Sequence, residues 1–455
     1  MEKPQSHKGT EPEKLFAKEM FSNPLWFCVS VVKKTKALNR DIGRVRANFK
    51  QPGIVLLVMA LVICLSPVTF AQSKGAKRKA PAKTAPKANP QFEQFSRQAD
   101  AARQEGRLED AIVLYNQALR ASSNWVEGWW YLGSIFYTLD RYGEGRDAFR
   151  NLLVLQKTNG PGWAMIGLCE FKLKNYDEAL ADIQYARQLG LGQNKELTNV
   201  VRFHAALLLT RAEQFELAYE ALRDFAREGN ESMSVIEAMG INLLRMPFLP
   251  AEAPADKREI ILLAGRAAFF MAARRVGEAQ GAFQELLARY PDAPNVHYAY
   301  GAHLLIESPD QALEEFKREL KISPAHIPAL LQIAFEYLKR NDAEAAKPYA
   351  EQSVKIAPNL FATRNALGRV LTDLGQIDEA IKELESGVKL APESPEMRFA
   401  LARAYARAGR KDDAARERAM FVKLDKEKRT RREGAQAVGG ISADSEKKPK
   451  EKPKP

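Results

Sequence analysis

Five histidines (His7, His204, His297, His303 and His326), three cysteines (Cys28, Cys64 and Cys169) and scattered acidic pairs are the side chains of this 455-residue chain best suited to bond-making chemistry. None is spaced for it. His297 and His303 are six residues apart, so on a helix they point to different faces instead of chelating at i, i+4. No cysteine pair has zinc-site spacing, no glycine-rich phosphate loop follows a strand, and no Gly-x-Ser-x-Gly elbow occurs. Acidic pairs such as Asp412 and Asp413 fall where solvated helix faces are expected. The expectation is a protein without catalytic residues, metal or cofactor, and not an enzyme. The chemistry that remains is recognition, which relies on tryptophan, tyrosine and arginine.

The elements that would present such residues follow from a repeat. Pro291, Pro324, Pro358 and Pro392 lie 33, 34 and 34 residues apart. The residues between them also recur. Leu367, Gly368, Leu371, Gly375, Ala380 and Leu384 form one unit, preceded by Ile333, Ala334, Tyr337, Ala346 and Ala350 and followed by Leu401, Ala402, Tyr405, Gly409 and Ala414. Upstream, Trp129, Leu132, Gly133, Phe136, Tyr142 and Phe149 open another, with Trp163, Ile166, Gly167, Tyr176, Ala179 and Ala186 one period later.

Each unit reads as two antiparallel helices so close that one position on each must be nearly free of side chain. Gly133, Gly167, Gly301, Ala334 and Gly368 supply it on first helices; Ala111, Ala179, Ala279, Ala312, Ala346 and Ala380 supply it on second helices. Larger residues at i, i+3 and i+7 fill the space toward the next hairpin. Proline closes a unit because it cannot continue a helix interior. Over residues 92–428 the chain resembles the tetratricopeptide repeat. The expected fold is all-α, an α-solenoid (superhelix) of about ten helical hairpins with disordered basic tails.

On this register units begin near Phe92, Val126, Gly160, Asn199, Met233, Ile260, Pro294, Ile327, Phe361 and Pro395. The step from Gly160 is five residues long, which places extra chain at Leu189–Asn194. The step from Met233 is short, because Pro247, Pro250 and Pro254 bar a normal second helix; an irregular junction is expected near 247–257, leaving one hairpin incomplete.

The resemblance implies that first helices line a concave, ligand-binding side. The positions expected to be exposed there are Trp130, Ser134 and Tyr137, then Leu168 and Phe171, then Tyr298, Phe335, Asn365, Arg369, Thr372 and Arg403. The earlier ones are largely aromatic and the last are polar and cationic, which suits a protein or peptide with apolar anchors and an acidic end. Sugar binding would use Trp130 and Tyr137 alone. The Lys and Asn by which some family members grip a terminal carboxylate are absent: the matching places hold Leu331 and Phe335, Ser96 and Asp100, or Trp130 and Ser134.

The formal net charge of +12 resides at the ends. Residues 1–50, 74–88 and 422–455 together carry an excess of 17 positive charges, leaving −5 for the rest. No nucleic-acid partner is expected, because duplex binding needs Lys and Arg clustered on a folded face. The tails remain open to contact with anionic lipid or polymer, or serve as solvated spacers.

Ile54–Leu65 is an uninterrupted apolar run behind Arg44, Arg46 and Lys50, with Thr69-Phe70-Ala71 after it. Residues 54–71 read as a signal peptide cleaved after Ala71 or, alternatively, as a single-pass membrane anchor. Residues 1–53 are an extension with a possibly mis-assigned start, Val45 being an alternative. Cys64 follows the bulky Ile63, which argues against a lipoprotein site. Residues 72–91 form a Lys/Ala/Pro-rich linker and 429–455 a basic tail. With Cys28 and Cys64 removed, Cys169 would be a lone, packed thiol. The function expected is a protein–protein interaction scaffold of the cell envelope, periplasmic or secreted; the alternatives are a periplasmic assembly or exopolysaccharide/outer-membrane secretion component and a membrane-anchored cytosolic adaptor.

Overall fold

The computed structural model describes residues 89–437, with side chains to residue 430. The extension, the signal or anchor segment, nearly all of the linker and the end of the basic tail lie outside the described residues. Nineteen α-helices and two 3₁₀ turns occur within them, and no strand.

The helices are α1 (Pro90–Gln104), α2 (Leu108–Ala121), α3 (Val126–Thr138), α4 (Tyr142–Leu155), α5 (Gly160–Lys172), α6 (Tyr176–Leu189) and α7 (Lys195–Arg211). They continue with α8 (Phe215–Arg227), α9 (Met233–Leu243), α10 (Arg258–Ala272), α11 (Val276–Arg289), α12 (Val296–Leu304) and α13 (Pro309–Ile322). The last are α14 (Ile327–Lys339), α15 (Ala343–Ile356), α16 (Phe361–Asp373), α17 (Ile377–Leu390), α18 (Pro395–Arg407) and α19 (Lys411–Ala437). Residues 89–205 and 206–437 form two compact units, divided within α7.

In the first unit α1–α2, α3–α4 and α5–α6 are hairpins, and Tyr115, Ala99, Ala102, Leu132 and Ile135 centre a core that joins the first two. In the second unit, α12–α13, α14–α15, α16–α17 and α18–α19 pair in the same way. Helix starts fall within four residues of the expected unit starts throughout. The extra chain before α7 is the segment 190–194, where Gly190 and Gly192 take positive φ, plus an earlier and longer α7 of 17 residues.

The small positions have the expected physical cause. A Cβ on Gly133 would sit 2.8 Å from the Phe149 ring, one on Gly301 2.7 Å from Phe316, and one on Gly368 2.4 Å from Leu384 Cγ. The alanines opposite them on second helices are fully buried.

The proline rhythm has a second cause. The carbonyl of each of the four prolines accepts a side-chain hydrogen bond: Pro291 from His297 Nε2 (2.8 Å), Pro324 from Gln352 (3.0 Å), Pro358 from Arg364 (2.8 Å) and Pro392 from Arg398. Trp129 and Trp163 make the same bond, each to the carbonyl six residues upstream, at 2.9 Å. The fourth residue of the first helix is thus often an N–H donor that ties the inter-hairpin turn to its own helix. Arg364 and Arg398 add an ion pair to a carboxylate 19 residues on, Glu383 (2.5 Å) and Glu417 (2.9 Å). His297 adds one to Glu315, 18 residues on, at 2.5 Å.

The junction differs from a plain hairpin. After α9 the chain makes two single 3₁₀ turns, Pro250–Glu252 and Ala255–Lys257, and no second helix. Helix α10 fills the vacancy: it packs along α9 and also forms a hairpin with α11, so it serves both neighbours.

Candidate functional site

In the first unit the first helices α3 and α5 present three half-buried aromatics, each braced from a second helix. Trp130 meets Phe149 edge-on at 5.5 Å, Tyr137 meets Tyr142 at 5.3 Å, and Phe171 meets Tyr176 at 5.7 Å between ring centroids. Their rings are held at fixed angles by this bracing, which reduces the rotamer entropy a ligand would have to remove. Phe171 also rests at 4.7 Å, perpendicular, against His204. His204 Nδ1 donates to the Val200 carbonyl at 2.8 Å, and burial pushes its pKa down to about 4, so the ring is neutral. Ser134 turns its hydroxyl back onto the Trp130 carbonyl, 2.8 Å away. Burial likewise raises the Tyr137 phenol well above its usual range.

Five of the positions expected to be exposed are not. Leu168, Tyr298, Phe335, Asn365 and Thr372 are between 0 and 7 % accessible. They point into contacts between neighbouring helices, where burial offers more than solvent does. Asn365 Nδ2 donates to the Glu396 carbonyl and the Met397 sulfur at the start of α18, Thr372 Oγ1 bonds back to the Gly368 carbonyl at 2.6 Å, and Tyr298 lies over His326 and Phe316. Trp130, Ser134, Tyr137, Phe171, Arg369 and Arg403 keep partial exposure.

Arg369 and Arg403 come together on the neighbouring helices α16 and α18 with two residues that repeat counting alone had not singled out, Asp373 and Arg407. Arg403 pairs with Asp373 at 2.5 Å, and Arg407 reaches the same carboxylate at 3.5 Å. Arg407 also donates to the Thr372 carbonyl at 2.7 Å. Arg369 lies over the Phe335 ring, 5.2 Å from its centroid. The signal was in the spacing: Arg369 and Asp373, like Arg403 and Arg407, are one helical turn apart and so share a face.

Among the described residues no group of three or more His, Cys, Asp or Glu is arranged to hold a metal ion. Cys169 is fully buried, and its thiol is pushed up to about 12 by burial, which makes it a packing residue and not a nucleophile.

The family model described as tetratricopeptide repeat matches residues 96–162, 265–327 and 365–417, and a second model of that description matches 327–360. The chain is built of tetratricopeptide repeats. Human protein O-mannosyl-transferase TMTC3 is 23 % identical over 269 residues, which is 56 % of this chain. This chain spans only 29 % of that protein's length. Among solved structures, MamA AMB-1 matches 34 % of this chain and 94 % of its own at 23 % identity and a TM-score of 0.31. YrrB, described as a TPR protein with an unusual peptide-binding site, matches 37 % and 88 % at 16 % identity and a TM-score of 0.33. Such repeats typically serve as non-enzymatic protein-interaction scaffolds.

Proposed function

We propose that the chain is a protein-interaction scaffold of the cell envelope, and that the first helices α3 and α5 are a surface on which it holds a partner. The carrying observation is the braced aromatic set of Trp130, Tyr137 and Phe171, because half-exposed, rotamerically fixed aromatics contribute most at protein interfaces. The envelope location rests on the apolar run Ile54–Leu65 with its basic lead, outside the described residues.

The test is photo-crosslinking in the native host, with a photoreactive residue at Tyr137 or Phe171 and a control at Val113, which is 56 % exposed on a second helix. Protein adducts that form from the first two sites, not from Val113, and sediment with the envelope fraction support the reading. Adducts equally frequent from all three sites remove the aromatic surface; adducts confined to the cytosolic fraction remove the location.

A further inference from the structure

The charges around Asp373 do not balance. Three guanidinium groups, on Arg369, Arg403 and Arg407, gather about one carboxylate, leaving a local excess of two positive charges. Elsewhere on these first helices arginines are matched one to one, Arg364 with Glu383 and Arg398 with Glu417. The surplus is accessible: the side chains of Arg403 and Arg407 are 40 % and 45 % exposed, while Asp373 is 23 % exposed. Burial and the charge of Arg403 together push Arg369 down to about 10, a measure of how poorly its charge is compensated.

We propose that Arg369, Arg403 and Arg407 are the seat for a partner segment bearing adjacent aspartate or glutamate side chains, and that Asp373 occupies this seat as an internal stand-in when no partner is bound. The proposal rests on the scaffold reading and adds the chemical class of one partner. Asp373 itself demonstrates that the geometry accepts a carboxylate, with Arg403 placing two nitrogens on its two oxygens at 2.5 and 3.5 Å. Guanidinium forks favour planar carboxylates in this way. A second carboxylate would satisfy the surplus that one cannot. The ring of Phe335 beneath Arg369 fixes one side of that guanidinium and leaves its edge to the ligand.

The test uses the full chain and a fluorescein-labelled Gly-Ser peptide containing Asp-Glu-Asp-Glu, followed by anisotropy at about 0.05 and 0.15 M salt, where screening differs. Binding should weaken about fivefold in Arg403→Gln and in Arg407→Gln, and vanish for the Asn-Gln-Asn-Gln peptide. Asp373→Asn should tighten binding about threefold, since the internal competitor is gone, whereas Glu344→Gln on α15 should leave it unchanged. A purely structural Asp373 would move affinity the other way or not at all, and either result overturns the proposal. So does equal binding by the arginine variants, or equal affinity for a thymidine oligonucleotide of the same charge, which would mark a generic polyanion surface. Melting curves of each variant separate lost binding from lost fold. Should Asp373→Asn unfold, the two arginine variants decide the matter. A chain that still crosslinks through Tyr137 yet fails here loses the carboxylate seat and keeps the scaffold reading.

Discussion

Gly240 of α9 and Gly265 of α10 stand opposite each other where two helix backbones touch. A Cβ on Gly240 would lie 1.9 Å from the Ile261 carbonyl oxygen, and one on Gly265 2.0 Å from that of Ile236. Backbone cannot move aside as a side-chain tip can. Gly240→Ala and Gly265→Ala should each destabilise the second unit by at least about 1–3 kcal/mol, the usual cost of overpacking. Gly281, inside α11 with nothing near its missing Cβ, is the contrast: Gly281→Ala should stabilise by about 0.5–1 kcal/mol. Denaturant melts of the three variants check both signs.

At Gly368 the obstacle is a side chain. Its added Cβ would meet Leu384 Cγ at 2.4 Å, so Gly368→Leu should cost about 1–3 kcal/mol. Gly368→Ala combined with Leu384→Ala should be less destabilised than the two single changes add up to, because they share one space. A strictly additive double-mutant cycle would contradict the close approach.

Several turns between first and second helices hold one residue with left-handed φ. Glycine does so at 106, 375 and 409, but Asp140, Lys174, Glu213, Arg274 and Asn341 do so elsewhere. Lys174 is exposed and sits at φ 65°, where a Cβ is unwelcome. Lys174→Gly should therefore raise stability by about 0.5 kcal/mol despite the added freedom of the unfolded chain. A fall in melting temperature would show that strain there is negligible.

The histidines set opposing pH dependences. His326 accepts from the Ala329 N–H through Nδ1 and, held neutral by burial, has its pKa lowered to about 3; His204 is lowered to about 4. Groups depressed in this way contribute stability that is present above the unfolded value of about 6.5 and is lost as pH falls below it toward the folded value. His297 is raised by its bond to Glu315, so its contribution is full in acid and is lost as pH rises through the folded pKa. Stability should drop between pH 6.5 and 4, by about 1.4 kcal/mol per pH unit for each proton involved. The slope should be shallower in His326→Gln and steeper in His297→Gln.

Cys169 should resist maleimide in the native protein and react only as fast as its hairpin opens, given its burial and its thiol pushed up to about 12. Mass spectrometry of the Cys169 peptide against denaturant would trace that opening. Prompt labelling in buffer would contradict the packing of α5.

The hairpin rhythm was legible in the sequence because the constraint is local: a glycine or alanine every period, and a proline where each turn must end. Gly368, Ala380 and Pro392 carry it almost alone. Exposure on first helices was less legible. Asn365 and Thr372 look like ligand contacts by type, yet the adjacent helix α18 covers Asn365, and Thr372 satisfies its own hydroxyl within α16. Which side of a first helix is covered depends on how far the next hairpin rotates, and no residue type reports that rotation. The Asp373 cluster shows the converse, since its members lie 30 and 34 residues apart and meet only when hairpins stack.

Because α10 is shared, the second unit has a place where it cannot be edited by whole hairpins. Elsewhere a repeat could be lost or duplicated and its neighbours would find equivalent surfaces. Removing α9 or α11 instead strips α10 of a face it needs, so deletions that look natural from the proline-rich gap at 247–254 would orphan a helix. Lineages carrying this array should vary in length on either side of residues 233–289 and keep that stretch whole.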